Sequence, residues 1–148
     1  MVSFRLDYAN GILYGMSQLN LNELQKVQNT LAYNHTDATP LLTKLHWLPI
    51  ERRILFKLAT LTFKLLDCDQ PSYLSVLLER FVPERALRSS TDTTRLAIPR
   101  SNSKFESRAF RIASPTVWNS LSVYIRTQPN LFIFRRHLKT FYFSQSLS

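Results

Sequence analysis

The sequence predicts a small, mainly helical domain built around one buried helix. Three observations carry this expectation. The stretch from Leu45 to Leu66, LHWLPIERRILFKLATLTFKLL, runs after Pro49 for roughly 18 residues without glycine or proline, about 27 Å of helix. Only two glycines occur in 148 residues, too few for the tight turns of a sandwich or barrel. The composition, 45% hydrophobic and 12% aromatic, suits a packed core.

Taken in order, residues 4–14 (Phe4 to Tyr14) form an apolar segment broken at Gly11 and predict a short helix. Asn20, with Glu23 three residues on, has the spacing of a capping box. The helix it would open, 21–32, places Leu21, Leu24, Val27 and Leu31 on one face. Thr39-Pro40 predicts a short helix carrying Leu41, Leu42 and Leu45.

Pro49 then fits the opening of the central helix, 50–66. Ile50, Ile54, Leu58, Leu61 and Leu65 form its main stripe, widened by Leu55, Phe56, Ala59, Phe63 and Leu66. So broad an apolar arc requires packing on more than one side. Leu58 and Leu61 are both expected in the core.

Asp67-Cys68-Asp69-Gln70 is a polar break, and Pro71 predicts a helix over 71–81 with Tyr73, Leu74, Leu77, Leu78 and Phe81 on a shared face. Residues 85–104 turn Ser/Thr-rich and basic and read as a linker, with at most a short strand at Leu96–Ile98. Ser114-Pro115 predicts a helix start leading into Val117, Trp118 and Leu121, and Asn130 a cap for a last helix, 131–143. The organisation expected is a charge-neutral helical core (1–84), a linker (85–104) and basic, aromatic-rich C-terminal helices (105–148) packing on that core, one domain overall.

Charge is unevenly placed. Residues 1–84 carry eight Lys/Arg and eight Asp/Glu, whereas residues 85–148 carry eleven Lys/Arg against Asp92 and Glu106. The whole net charge of +9 therefore lies in the C-terminal part, which predicts an anionic partner. In the last helix Arg135, Arg136 and Lys139 share one side, with Phe132 and Phe143 near them, and Leu131, Phe134, Leu138, Phe141 and Tyr142 face the core. Basic groups interleaved with aromatics suit phosphate contact and base stacking. The candidate nucleic-acid-binding residues are Arg95, Arg100, Lys104, Arg108, Arg111, Arg135, Arg136 and Lys139, and the partner RNA or DNA. A solvated basic face with the aromatics in the core is the competing reading.

Catalytic patterns are missing. His35, His46 and His137 lack metal-ligand spacing with Cys68 or with acidic residues, and His46 reads as a packed or capping side chain. Asp67 and Asp69 form a D-x-D pair in a polar turn, read as solvated. No glycine-rich phosphate loop occurs. Cys68 lacks a basic or histidine neighbour that would make it a nucleophile, and a lone cysteine fits a reducing compartment. Asn34-His35-Thr36 matches a glycosylation sequon by chance. No catalytic residue, metal, cofactor, small-molecule ligand or membrane span is expected, and the location expected is intracellular.

Several short blocks follow one another in a recognisable order: Arg5-Leu6-Asp7-Tyr8, Leu24-Gln25-Lys26-Val27-Gln28-Asn29, Leu45-His46-Trp47-Leu48-Pro49, Pro71-Ser72-Tyr73-Leu74 and Leu87-Arg88-Ser89-Ser90. Ile98-Pro99-Arg100, Arg108-Ala109-Phe110, Pro115-Thr116-Val117-Trp118-Asn119 and Phe134-Arg135-Arg136-His137-Leu138-Lys139-Thr140 complete the series. Together they resemble the C-terminal region of the reverse-transcriptase polyprotein of non-LTR (LINE-type) retrotransposons, over nearly the whole chain. The resemblance implies a parent with endonuclease and RNA-directed DNA polymerase domains upstream. This region lies downstream of the polymerase core, and the resemblance gives it no catalytic residues. The chain departs from the pattern after Ala32, where residues are missing, and at Asp67–Gln70 and Glu106-Ser107, where glycine is common. Ser122 also stands where proline is usual. Such departures fit a truncated copy. A nucleic-acid-binding or structural appendage of a reverse transcriptase is the first functional expectation. A helical protein-interaction module or an orphaned fragment without selected function is the alternative.

Overall fold

The computed structural model describes residues 13–32, 47–83 and 92–146. Of the helix expected at 4–14 only residues 13 and 14 are among them, and the short helix expected from Thr39-Pro40, the sequon and the histidines at 35 and 46 lie outside the described residues. The fold is mainly helical: α1 (Gln18–Ala32), α2 (Ile50–Cys68), the single turn α3 (Ser72–Ser75), a 3-10 turn (Glu106–Arg108), α4 (Phe110–Ser120), α5 (Val123–Arg126) and α6 (Leu131–Ser146). The chain divides into two compact units, Met1–Lys57 with Lys139–Ser148, and Leu58–Leu138.

In the first unit, α1 begins before the expected cap. The Ser17 carbonyl accepts from Leu21 N–H (3.1 Å) and its hydroxyl from Asn20 N–H (3.4 Å), so Ser17 caps the helix and Asn20 is inside it. Glu23 pairs instead with Lys26 (2.9 Å). The inward face is also rotated from the expected one, since Val27 is exposed and Gln28 buried. Polar contacts explain the rotation. Gln28 Nε2 donates to the Leu48 carbonyl (3.0 Å), and Gln25 Oε1 accepts from Ile50 N–H (2.9 Å).

The second of these bonds caps α2 from outside. An orphan first-turn N–H normally takes a Ser, Thr or Asp oxygen just before the helix. Pro49 has no such oxygen, and its carbonyl accepts the first helical bond, from Arg53 N–H (2.9 Å). Ile50 and Ile54 are buried, and the Arg53 guanidinium lies 6.0 Å from the Trp47 ring centroid. Tyr142, from the end of α6, is buried in this unit.

The second unit holds the rest of α2, where Leu58, Ala59, Thr62, Phe63 and Leu65 are buried. Leu61 is half-buried, against expectation, because it lies at the edge of the buried stripe. Phe63, Trp118 and Phe134 form an aromatic cluster, with Phe63 and Phe134 stacked at 4.5 Å and Trp118 to Phe134 at 5.8 Å. The Thr62 hydroxyl donates or accepts against the buried Ser114 hydroxyl and also reaches the Leu58 carbonyl (2.8 Å). α2 ends at Asp69, whose φ of 54° is the left-handed value that glycine adopts most readily.

The expected helix over 71–81 is only the turn Ser72–Ser75. Beyond it the backbone bonds i to i+3 and then extends, so that Arg80 bridges Leu96. Phe81 N–H donates to the Arg95 carbonyl (3.0 Å) and Ala97 N–H to the Glu79 carbonyl (2.8 Å). This pairing takes the backbone groups a helix would need, and it leaves Tyr73, Leu77 and Phe81 exposed rather than on a core-facing stripe.

Residues 92–98, part of the stretch read as a linker, are held by α4. Trp118 Nε1 donates to the Thr94 carbonyl (2.8 Å). Asn119 grips both polar groups of Leu96, accepting from its N–H (3.0 Å) and donating to its carbonyl (2.8 Å). Leu96 itself is buried. α4 starts at Phe110, not at Pro115, which sits inside the helix. The Ala109 carbonyl accepts from Ile112 and Ala113 N–H (both 2.9 Å), and burial of Ile112, Ala113 and Pro115 outweighs the one helical bond that proline removes. Asn130 caps α6 as expected, its side chain accepting from Ile133 N–H (2.9 Å), and the helix runs on to Ser146.

Candidate nucleic-acid interface

The eight basic residues expected to bind phosphate are carried by several local structures. α6 presents three of them. Arg135, Arg136 and Lys139 occupy one side at helical spacing, while Phe134, Leu138 and Tyr142 are buried on the other. Arg135 and Arg136 are exposed and Lys139 is half-buried. The amphipathic split expected within this helix is therefore present, with Leu131 and Phe141 half-buried.

The aromatics beside those bases differ from each other. Phe132 is 77% exposed and open to stacking. Phe143 is half-buried, and the Lys139 ammonium lies 5.8 Å from its ring centroid, so a base would compete with that cation–π contact. His137 meets Tyr124 edge-on at 5.2 Å.

Arg100, Lys104, Arg108 and Arg111 are exposed along the path from 98 into the first turn of α4. Arg108 closes the 3-10 turn, and Arg111 is the second residue of α4. Arg95 is exposed too, but its Nε donates to Asp92 at 3.3 Å, so a phosphate must compete with a carboxylate there.

Sequence reasoning passed over Arg126, which is a buried member of the basic set. Its side chain is 3% exposed, and Nη2 donates to Asp92 Oδ2 at 2.6 Å. Asp92 also accepts from the Thr94 hydroxyl (2.6 Å) and the Thr94 N–H (3.2 Å). Burial pushes the Asp92 carboxyl up, but the Thr94 and Arg126 donors outweigh it and hold the pKa down to about 2. A signal was available in the sequence: Asp92 is one of only two acids among the last 64 residues (148 − 84). A carboxylate in so basic a segment has many cations within reach to pair with.

Cys68 is exposed, and its thiol donates to Asp67 (3.4 Å), a contact that raises its pKa and opposes thiolate formation. Among the described residues no group of three or more His, Cys, Asp or Glu is placed to hold a metal. No helix among them is long and apolar enough to cross a membrane. Comparison with known proteins finds no matching family model, curated relative or solved structure.

Proposed function

We propose that the chain is a non-catalytic nucleic-acid-binding module, an appendage of the kind found downstream of a retrotransposon reverse-transcriptase core. The observation that carries this reading is the concentration of the whole +9 charge in residues 85–148. Exposure of Arg100, Lys104, Arg108, Arg111, Arg135 and Arg136, with Phe132 beside the α6 pair, supports it. Such a surface neutralises phosphates and releases counterions, so it binds with little sequence preference and strong salt dependence. An exposed ring next to cations adds a stacking platform for single strands. The test is a titration with single-stranded RNA and with duplex DNA at several salt concentrations. The expected result is an affinity that falls steeply and linearly on logarithmic axes. No binding at low salt would refute the reading.

A second reading is favoured by a different observation. Tyr73, Val76, Leu77, Phe81 and Val82 are all exposed within ten residues of chain. An apolar surface of that kind suits a protein partner, and on this reading the basic residues serve solubility.

A further inference from the structure

We propose that the cavity beside Arg126 binds a small oxyanion, a phosphate or carboxylate group. The cavity is about 150 Å³ and lies within the second unit. Phe63 and Trp118 supply apolar wall, Thr94 and Gln128 polar wall, and Arg80 and Asp67 the charges that accompany Arg126.

Arg126 makes the case. A guanidinium stays charged and offers five N–H donors with no acceptor. Asp92 receives Nη2, whereas Nε and Nη1 are buried and find no acceptor among the described residues. Buried donors left without acceptors are unfavourable, most of all on a charged group. An acceptor from outside the chain resolves this, and an oxyanion matches both the charge and the planar fork of arginine. Water is the competing occupant, since a cavity this size holds several molecules.

Charge separates the two occupants. Asp92 already offsets Arg126, which leaves Arg80 to favour an anion and Asp67 to oppose it. Both are exposed, so replacing either leaves the core intact. The wall must also yield slightly, because so little of Arg126 is open. Gln128 lies just past α5, and for it to swing aside the hydrogen bond from its Nε2 to the Tyr124 carbonyl (2.6 Å) has to break.

The experiment follows the Arg126 Nε–H and Trp118 indole N–H signals by NMR. Inorganic phosphate or acetate is added at constant ionic strength. A saturable shift with at least one anion is expected, weakened roughly two- to fivefold by Arg80→Ala and strengthened by a similar factor in Asp67→Asn. No saturable shift with either anion, or saturation indifferent to both substitutions, would overturn the proposal and leave water as the occupant. If phosphate saturates the site, 5′-phosphorylated and unphosphorylated dinucleotides tell a free ion from a strand terminus. The outcome is independent of duplex binding by the exposed bases, because Arg80, Asp67 and Arg126 are not among them.

Discussion

At Asp92 a single carboxylate gathers Thr94, Arg95 and Arg126, and its depressed pKa makes part of the acid stability depend on this residue. A group whose folded pKa is lowered stabilises the fold above its unfolded value, and that stability disappears as pH falls through the folded value. Stability should therefore hold from pH 7 to about 4 and decline toward pH 2, by on the order of 2 kcal/mol from Asp92. Chemical denaturation across that range checks it, and Asp92→Asn should lower stability at neutral pH while flattening the acid limb. Leucines give a second test at this scale. Leu58 is 3% exposed, and Leu58→Ala should cost about 2–5 kcal/mol. Half-buried Leu61 should lose clearly less on the same substitution, so equal losses would contradict the burial described.

Among the elements, α2 and α6 were legible because their signals are long and redundant: Pro49 before a wide apolar arc, and Asn130 before an alternation of bases and aromatics. Short elements were not. Tyr73, Leu74, Leu77, Leu78 and Phe81 have helical spacing, yet five apolar residues cannot show that Arg80 will pair with Leu96, a partner 16 positions away. Pro115 misled for a related reason. Proline marks a first turn well, but burial of Ile112 and Ala113 drew the helix back to Phe110. The α4–α5 junction gives a prediction. Ser122 has φ −63°, the value that proline enforces, and Leu121 before it is extended (φ −77°, ψ 149°), as a residue preceding proline must be. Ser122→Pro should therefore raise stability by about 0.4–1 kcal/mol through the unfolded chain, and thermal melts of the two proteins measure it.

For the whole molecule, the helical fold class and the charge were legible, and the surroundings of individual side chains were not. Counting residues located the basic half, but it did not show that Arg126 would be buried or that Arg95 would be bound to Asp92. Both identities matter to the binding reading, since neither residue is simply offered to solvent. The α6 bases share one helix and are tested together. Replacing Arg135, Arg136 and Lys139 together by Ala should reduce the salt slope for duplex DNA by up to about 3, one unit for each phosphate no longer neutralised. An unchanged slope would clear α6 of any part in binding. One last consequence concerns time. The unit that contains α1 is completed by residues Lys139–Ser148, with Tyr142 buried in it. That unit is discontinuous in sequence, so its two pieces meet only by closing a loop that spans the whole of Leu58–Leu138, whereas the second unit is one continuous stretch. Contacts within Leu58–Leu138 should therefore form ahead of those that join Met1–Lys57 to Lys139–Ser148.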